Sequence, residues 1–121
     1  MIKLVSLIAK KPGITREQFI EHYEKNHSPM SVRLMPQIAK YVRNYPTAKD
    51  NLHYAGMQHV RTVPYDCITE HWFKDRADYD DMMHQFTTNP EKYKAFAEDE
   101  ERFLDKTKMV MFLVEEHESK I

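Results

Sequence analysis

The run IKLVSLIA at residues 2–9 is β-rich and apolar on both faces, and Lys10-Lys11-Pro12-Gly13 interrupts it, which predicts a central strand followed by a turn. Thr15 and Gln18 have the spacing of a capping box, in which each side chain serves the other's backbone N–H. A helix is expected to start there, with Phe19, Tyr23 and His27 along its inner stripe. The ring of Pro29 disfavours helical backbone at Ser28. The helix is therefore expected to break at that point, with Ser28 capping a second short helix that has Pro29 at its first position and ends before Pro36. His27 would then sit at a helix end, at the joint to the next.

Residues 38–45 alternate as a strand, with Tyr41, Arg43 and Tyr45 on one face and Ile38, Val42 and Asn44 on the other. The pattern dissolves over residues 46–64, a connection holding His53, Tyr54 and His59 that exceeds the usual hairpin loop of about 2 to 5 residues. Residues 66–73 read as a third strand, with Cys67, Thr69, His71 and Phe73 opposed to Asp66, Ile68, Glu70 and Trp72. Asp75 caps a helix whose apolar residues are Tyr79, Met82, Met83 and Phe86, and Asn89-Pro90 opens another with Tyr93, Phe96, Ala97, Phe103 and Leu104. Residues 108–115 close the chain as a fourth strand.

The order β, α, β, β, α, β is the split βαβ arrangement, an α+β, ferredoxin-like fold with one four-stranded antiparallel sheet and its helices on a single face. One domain over residues 1–121 accounts for the whole pattern. Strands apolar on both sides cannot leave the second sheet face in water. A homodimer with its two sheets face to face is expected, each subunit enclosing one pocket between sheet and helices.

Composition narrows the function. With 18 basic against 19 acidic side chains and a net charge of -1, no basic stripe exists to neutralise phosphates, so nucleic acid is not an expected partner. The longest apolar stretches, residues 4–9 and 109–114, fall short of the roughly 20 residues of a membrane-spanning helix. The strand-like start lacks the charged region and cleavage site of a signal peptide, and a cytoplasmic protein is expected. Cys67 is the single cysteine, which excludes an internal disulfide and a cysteine-rich metal site. The two glycines form no phosphate-cradling motif, so no dinucleotide cofactor is expected.

Strand alternation gathers Tyr41, Arg43, Tyr45, Cys67, Thr69 and His71 on one face, unusually polar for a core. Either these groups hydrogen-bond across a dimer interface, or His71 and Tyr41 form an acid/base pair at a substrate. Glu70 and Trp72 fall on the opposite face, with Trp72 expected to pack beneath the helices and Glu70 to orient His27 from behind. A register slip of one residue would instead make Glu70 and Trp72 the pocket wall, which keeps both among the candidate substrate contacts. His22 and His27 are five apart, about 140° around an α-helix, and are expected to point to different sides. His53 and His59 lack a third ligand at regular spacing, so no metal is expected. Cys67, with no adjacent cation, reads as packing. The eight methionines are adaptable core filler or, on the sharper reading, a broad apolar binding surface.

Lys11-Pro12-Gly13-Ile14-Thr15 followed by Phe19, then Asn26-His27-Ser28-Pro29, Tyr41-Val42-Arg43-Asn44, DCITEHWF at 66–73 and DEERFLD at 99–105 together resemble the EthD family of the dimeric α/β-barrel superfamily. Relatives in that family include polyketide dehydratases and cyclases, methylmuconolactone isomerases and cofactor-free monooxygenases. The methylmuconolactone methylisomerases are similar in four places, which map onto His27, Tyr41, His53 and His71. At the last position the isomerases carry a cysteine, so the resemblance does not extend to thiol-dependent methyl isomerisation; a base or acid stands there instead.

The resemblance draws His27 into the site, where its stripe position alone fits a satisfied buried histidine equally well. At a helix C-terminus the dipole favours the imidazolium by roughly 0.3 to 1 kcal/mol, which suits a proton donor. The resulting expectation is a cofactor-free enzyme acting by proton transfer on an aromatic or polyketide-like small molecule, by dehydration, cyclisation or isomerisation. His27, Tyr41 and His71 would be catalytic, with Arg43, Tyr45, His53, Thr69, Glu70 and Trp72 binding substrate. A cofactor-independent monooxygenase of aromatic substrates and a non-catalytic accessory dimer are the alternatives.

Overall fold

The computed structural model describes residues 1–53 and 55–121; Tyr54, in the long connection, lies outside the described residues. Strand β1 (Ile2–Ile8) runs through the middle of the sheet, as its two-sided apolarity requires. It is flanked by β3 (Cys67–Phe73) and β4 (Val110–Val114), and β2 (Ile38–Asn44) pairs the far side of β3. All three pairings are antiparallel, which gives the four-stranded α+β sheet of a ferredoxin-like fold. Register sets Leu4 and Tyr41 on either side of His71, and Ser6 and Arg43 on either side of Thr69.

Helices α1 (Arg16–His22), α2 (Ser28–Leu34), α3 (Arg76–Thr88) and α4 (Pro90–Phe103) cover the face that carries these residues. The starts of α1, α3 and α4 are those the sequence predicts. Gly13, at φ 90°, makes the turn after β1, and Thr15 and Gln18 exchange hydrogen bonds of 3.1 and 2.9 Å. Asp75 Oδ1 accepts from the Asp78 N–H at 2.9 Å, and Asn89 Oδ1 from that of Lys92 at 3.2 Å.

The expected break at Ser28-Pro29 does not occur. Ser28 keeps helical backbone (φ -62°, ψ -48°), and α1 passes into α2 through a π-turn at Tyr23–His27. The Ser28 N–H reaches back five residues to the Tyr23 carbonyl. A proline in a helix clashes with the carbonyl four residues before it and offers that carbonyl no N–H. Widening the turn accommodates both effects without ending the helix. Ser28 therefore caps nothing; Ser31 Oγ donates to the His27 carbonyl at 2.8 Å instead.

The core divides into two clusters. One joins Ile8, Phe19, Tyr23, Cys67, Phe103 and Leu104, with Phe103 against the rings of Phe19, His22, Tyr23 and His27. The other joins Leu4, Met35, Phe73, Met82 and Phe96. The space between them is the cavity described below.

Among the described residues no helix covers the opposite sheet face. Trp72 lies there, flanked by the Lys3 and Lys40 ammonium groups at 4.6 and 5.1 Å from its ring, and not beneath the helices as expected. Glu70 is on the same outer face, bound to Lys3 Nζ at 2.7 Å and to Asn44 Nδ2 at 2.9 Å, with the whole sheet between it and His27. Val110 and Phe112 on β4 are exposed on this side. In the long connection, Asp50 bridges Thr62 and the Asn51 N–H donates to the Arg61 carbonyl at 2.9 Å. Among the described residues no helix is long and apolar enough to cross a membrane.

Candidate active site

A cavity of about 250 Å³ lies between the sheet and the helices. An engineered cavity of roughly 150 Å³ admits benzene, so this one has room for one or two fused rings. Its wall is mostly Leu, Ile, Met and Phe, and the polar groups that reach it are Ser6, Tyr23, His27, Ser31, Tyr41, His71, Tyr93 and Glu100. The three residues expected to be catalytic, His27, Tyr41 and His71, all line it.

His27 enters from the π-turn, packed edge-on against Tyr23 and Phe96 and tilted over Phe103. Its Nδ1 meets Asp99 Oδ2 at 2.7 Å, and both residues are buried. That bond orients the ring and leaves Nε2 as the free nitrogen of a side chain on the cavity wall. Asp99 Oδ1 receives His22 Nε2 at 3.0 Å, with Arg102 at 3.3 Å. The expectation that His22 and His27 point apart therefore fails. The wide turn brings residues five apart nearly above one another, where an α-helix would separate them.

Burial lowers the His27 pKa, and the Asp99 carboxylate works against that shift. The helix-end stabilisation expected for its imidazolium is missing because the helix does not end there; Asp99 supplies the negative charge. Burial works to raise the Asp99 pKa, but hydrogen bonds from His27 and His22 outweigh it, and the carboxyl is held below the usual range.

His71 comes from the middle of β3 and stacks on Tyr41, with ring centres 4.5 Å apart. Burial, the nearby His27 and the Arg43 guanidinium together push its pKa down to about 4, so it is neutral at physiological pH. Arg43 lies over the Tyr41 ring, 4.6 Å from its centre, held by Glu24 at 2.6 and 2.9 Å. The Tyr41 hydroxyl donates to Tyr23 Oη at 3.3 Å, and Tyr23 shares a 2.7 Å bond with Thr69 Oγ1. Burial raises the pKa of both tyrosines, which stay protonated.

The remaining expected contacts lie off the cavity wall. Thr69 is fully buried behind Tyr23, while Arg43 and Tyr45 both bind Glu24. His53 is exposed in the long connection, its Nε2 on the Met57 carbonyl at 3.0 Å. Glu70 and Trp72 face outward, so the register slip that would have made them the wall does not occur. Cys67 is buried with its thiol pushed up to about 11, as suits packing. Among the described residues no group of three or more His, Cys, Asp or Glu side chains could hold a metal ion.

Sequence reading missed Asp99, Glu100 and Ser6 as site residues. A signal for Asp99 exists: it falls between Phe96 and Phe103 on the apolar stripe of α4, where a carboxylate requires a buried partner. Glu100 lines the cavity one residue further on, its pKa raised chiefly by burial despite Lys106 at 3.7 Å.

Several solved structures share this architecture. An ethyl tert-butyl ether D (EthD) family protein from Bacillus halodurans is 20% identical, with a TM-score of 0.63 over 97% of this chain and 99% of its own. HapK from Hahella chejuensis is 13% identical, with a TM-score of 0.59 over 100% and 97%. A dimeric protein of ferredoxin-like fold from Bacteroides fragilis is 9% identical, with a TM-score of 0.55 over 94% of each chain. At these identities the likeness speaks for fold. No protein of curated function matches. The family profile of the EthD domain matches residues 11–107, which span both halves of the fold and His27, Tyr41, His71 and Asp99. The chain belongs to the EthD domain family.

Proposed function

We propose that this protein is an enzyme that moves a proton on an aromatic or polyketide-like small molecule, with dehydration, cyclisation or isomerisation as the outcome. The observation that carries this reading is His27, bonded to the buried Asp99 behind it, on the wall of a ring-sized apolar cavity also lined by neutral His71 and protonated Tyr41.

The surroundings divide the roles. His27 takes the proton from a carbon next to a carbonyl, because Asp99 stabilises the imidazolium that forms. Among the described residues no carboxylate bonds His71, and the Arg43 guanidinium lies one ring away, so His71 serves as a neutral hydrogen-bonding group. The Tyr41 hydroxyl, whose bond to Tyr23 is long, can turn its proton to the developing enolate oxygen. The His27 imidazolium then returns its proton to the leaving hydroxyl or to the new carbon. Arg43 positions Tyr41 from behind.

The working unit in this reading is a homodimer. Trp72, Val110 and Phe112 leave an apolar band on the helix-free sheet face, and a second copy of that sheet is the natural cover. That the ferredoxin-like protein from Bacteroides fragilis is dimeric supports a dimer of this fold.

The test is mass spectrometry of purified protein with aromatic polyketides, hydroxylated anthrones and muconolactones, in air and under nitrogen, with His27→Ala in parallel. A product of equal mass or lighter by water, formed without oxygen and lost in the variant, is the expected result. A product heavier by oxygen assigns a monooxygenase, and no conversion of any substrate leaves the accessory binding dimer as the standing reading.

A further inference from the structure

The proposed proton transfer uses His27 and Asp99 and leaves His22, on the same carboxylate, without a role. Asp99 is 4% exposed, and both of its oxygens are occupied: Oδ2 by His27 Nδ1 at 2.7 Å and Oδ1 by His22 Nε2 at 3.0 Å. The Arg102 guanidinium also reaches Oδ1, at 3.3 Å, but its side chain is 65% exposed and stands three residues along the same helix. A long, solvated contact of that kind holds a carboxylate weakly. His22 is the firmer anchor. Its side chain is 22% exposed, and its ring leans on Phe103 with centres 4.7 Å apart, as the His27 ring does at 4.9 Å.

The direction of each hydrogen bond follows from the charge on Asp99. Its carboxyl is held below the usual range, so at neutral pH it is ionised and can only accept. Both imidazoles must then donate to it, His22 through Nε2–H and His27 through Nδ1–H. In a neutral His27 ring this puts the one proton on Nδ1 and leaves a lone pair on Nε2, the form a base requires. That holds only while Oδ2 stays on His27, and the terminal torsion of an aspartate has a broad well in which the carboxylate can swing. A second imidazole on the opposite oxygen stops the swing. His22 is absent from the cavity wall, so it acts on a bound molecule only through Asp99 and His27.

We propose that His22 is a positioning residue for His27: by occupying Asp99 Oδ1 it locks the carboxylate, so that Oδ2 keeps the His27 proton on Nδ1 and Nε2 free. This rests on the reading of His27 as the proton-transferring group.

The experiment compares wild type with His22→Phe, which keeps a ring against Phe103 but has no donor, and with His22→Gln, whose amide N–H can replace Nε2–H. His22→Leu is a second variant without a donor. The first readout is NMR of the histidine ring nitrogens in the ligand-free protein at about pH 8, where the His27 ring is neutral. Wild type is expected to hold the Nδ1–H form of His27 in at least about fivefold excess, and both donor-free variants to lower that ratio by about threefold or more. On the substrate that the mass-spectrometric panel identifies, the donor-free variants should lose about three- to tenfold in kcat with KM within about twofold. His22→Gln should restore both the ratio and kcat to within about twofold of wild type. A wild-type His27 without the Nδ1–H excess, a ratio unchanged in the donor-free variants, a loss confined to KM, or a His22→Gln protein no better than His22→Phe overturns the proposal. The last of these is the pattern of a ring that only packs. A ratio that depends on His22 in a protein whose turnover does not depend on His27 removes the proposed reaction and keeps the positioning; turnover that depends on His27 with a ratio indifferent to His22 does the reverse.

Discussion

Two imidazoles line one cavity, and their surroundings are opposite. His27 sits on a widened helical turn with a buried carboxylate 2.7 Å from Nδ1 and a second histidine on that same carboxylate. His71 sits mid-strand, stacked on a tyrosine that also carries a guanidinium over its ring, and its Nδ1 has no partner among the described residues. The cavity thus has a side that can hold a positive charge and a side that cannot. Residue type alone does not distinguish these roles. What distinguishes them is which charge state the neighbouring groups stabilise, and that depends on α4, more than 70 positions along the chain from His27.

The sharpest way to break the contrast is to remove the side that holds the charge. His27→Ala is expected to lower kcat/KM by about 10²- to 10⁴-fold, the usual contribution of a positioned acid/base group. Steady-state kinetics on the substrate that the mass-spectrometric panel identifies checks this. A fall of less than about tenfold would move the proton-transferring role away from His27.

Asp99→Asn is the next largest. The isostere keeps the volume and one hydrogen bond but removes the charge, and a loss of about 10- to 100-fold in kcat is expected, as for other groups that orient an imidazole. Its diagnostic readout is pH. Asp99 raises the His27 pKa against the lowering by burial, so its removal lets that pKa fall further. The acid limb of the rate profile, below which the base is protonated, should move to lower pH. A purely structural role for Asp99 would lower the rate and leave the limb in place.

The contrast also explains what was legible in the sequence. Period-two alternation places Tyr41, Thr69 and His71 on one face correctly, because the pleat sends alternate side chains to opposite faces; it fails at Ile38, which a bulge between Ile38 and Lys40 turns to the helix side with Phe73. The helical side was harder. Pro29 argued for a break, and no local pattern announces that a π-turn will absorb a proline, so the shared carboxylate of His22 and His27 was invisible. Asp99 was visible only as a charge on an apolar stripe. Trp72 was misplaced for a different reason: alternation says that two residues differ in face but not which face the helices cover, and that is settled by tertiary packing.

A smaller effect sharpens the sheet side. His71 titrates near 4 in the folded protein against about 6.5 when unfolded, so as pH falls through this window the unfolded chain takes the proton first. Stability present above about pH 6.5 is lost on the way to pH 4. After a discount for the part of the ring that the cavity leaves open, the loss is on the order of 2 kcal/mol. Denaturant midpoints at pH 7 and pH 4.5 should differ by less in His71→Phe than in wild type, and an unchanged difference would mean that His71 is not held neutral.

The smallest effect belongs to the outer face, one residue away. Glu70→Gln removes the ion pair with Lys3 and leaves the cavity untouched, so turnover should stay within about twofold and stability should fall by about 0.5 to 1 kcal/mol, as for a partly exposed pair. The Lys3 hydrogen bond lowers the Glu70 pKa from its ordinary 4.5, so this contribution is present above that value and is lost as pH falls through the lowered one. Acidification therefore acts on adjacent residues of β3 in windows that overlap only between about pH 4 and 4.5, His71 above that band and Glu70 below it. Unfolding curves for wild type, His71→Phe and Glu70→Gln across that boundary separate the two sheet faces without any knowledge of the substrate. If Glu70→Gln instead abolished turnover, the outer face would have to reach the chemistry, and the division of β3 into a reactive and a structural side would be wrong.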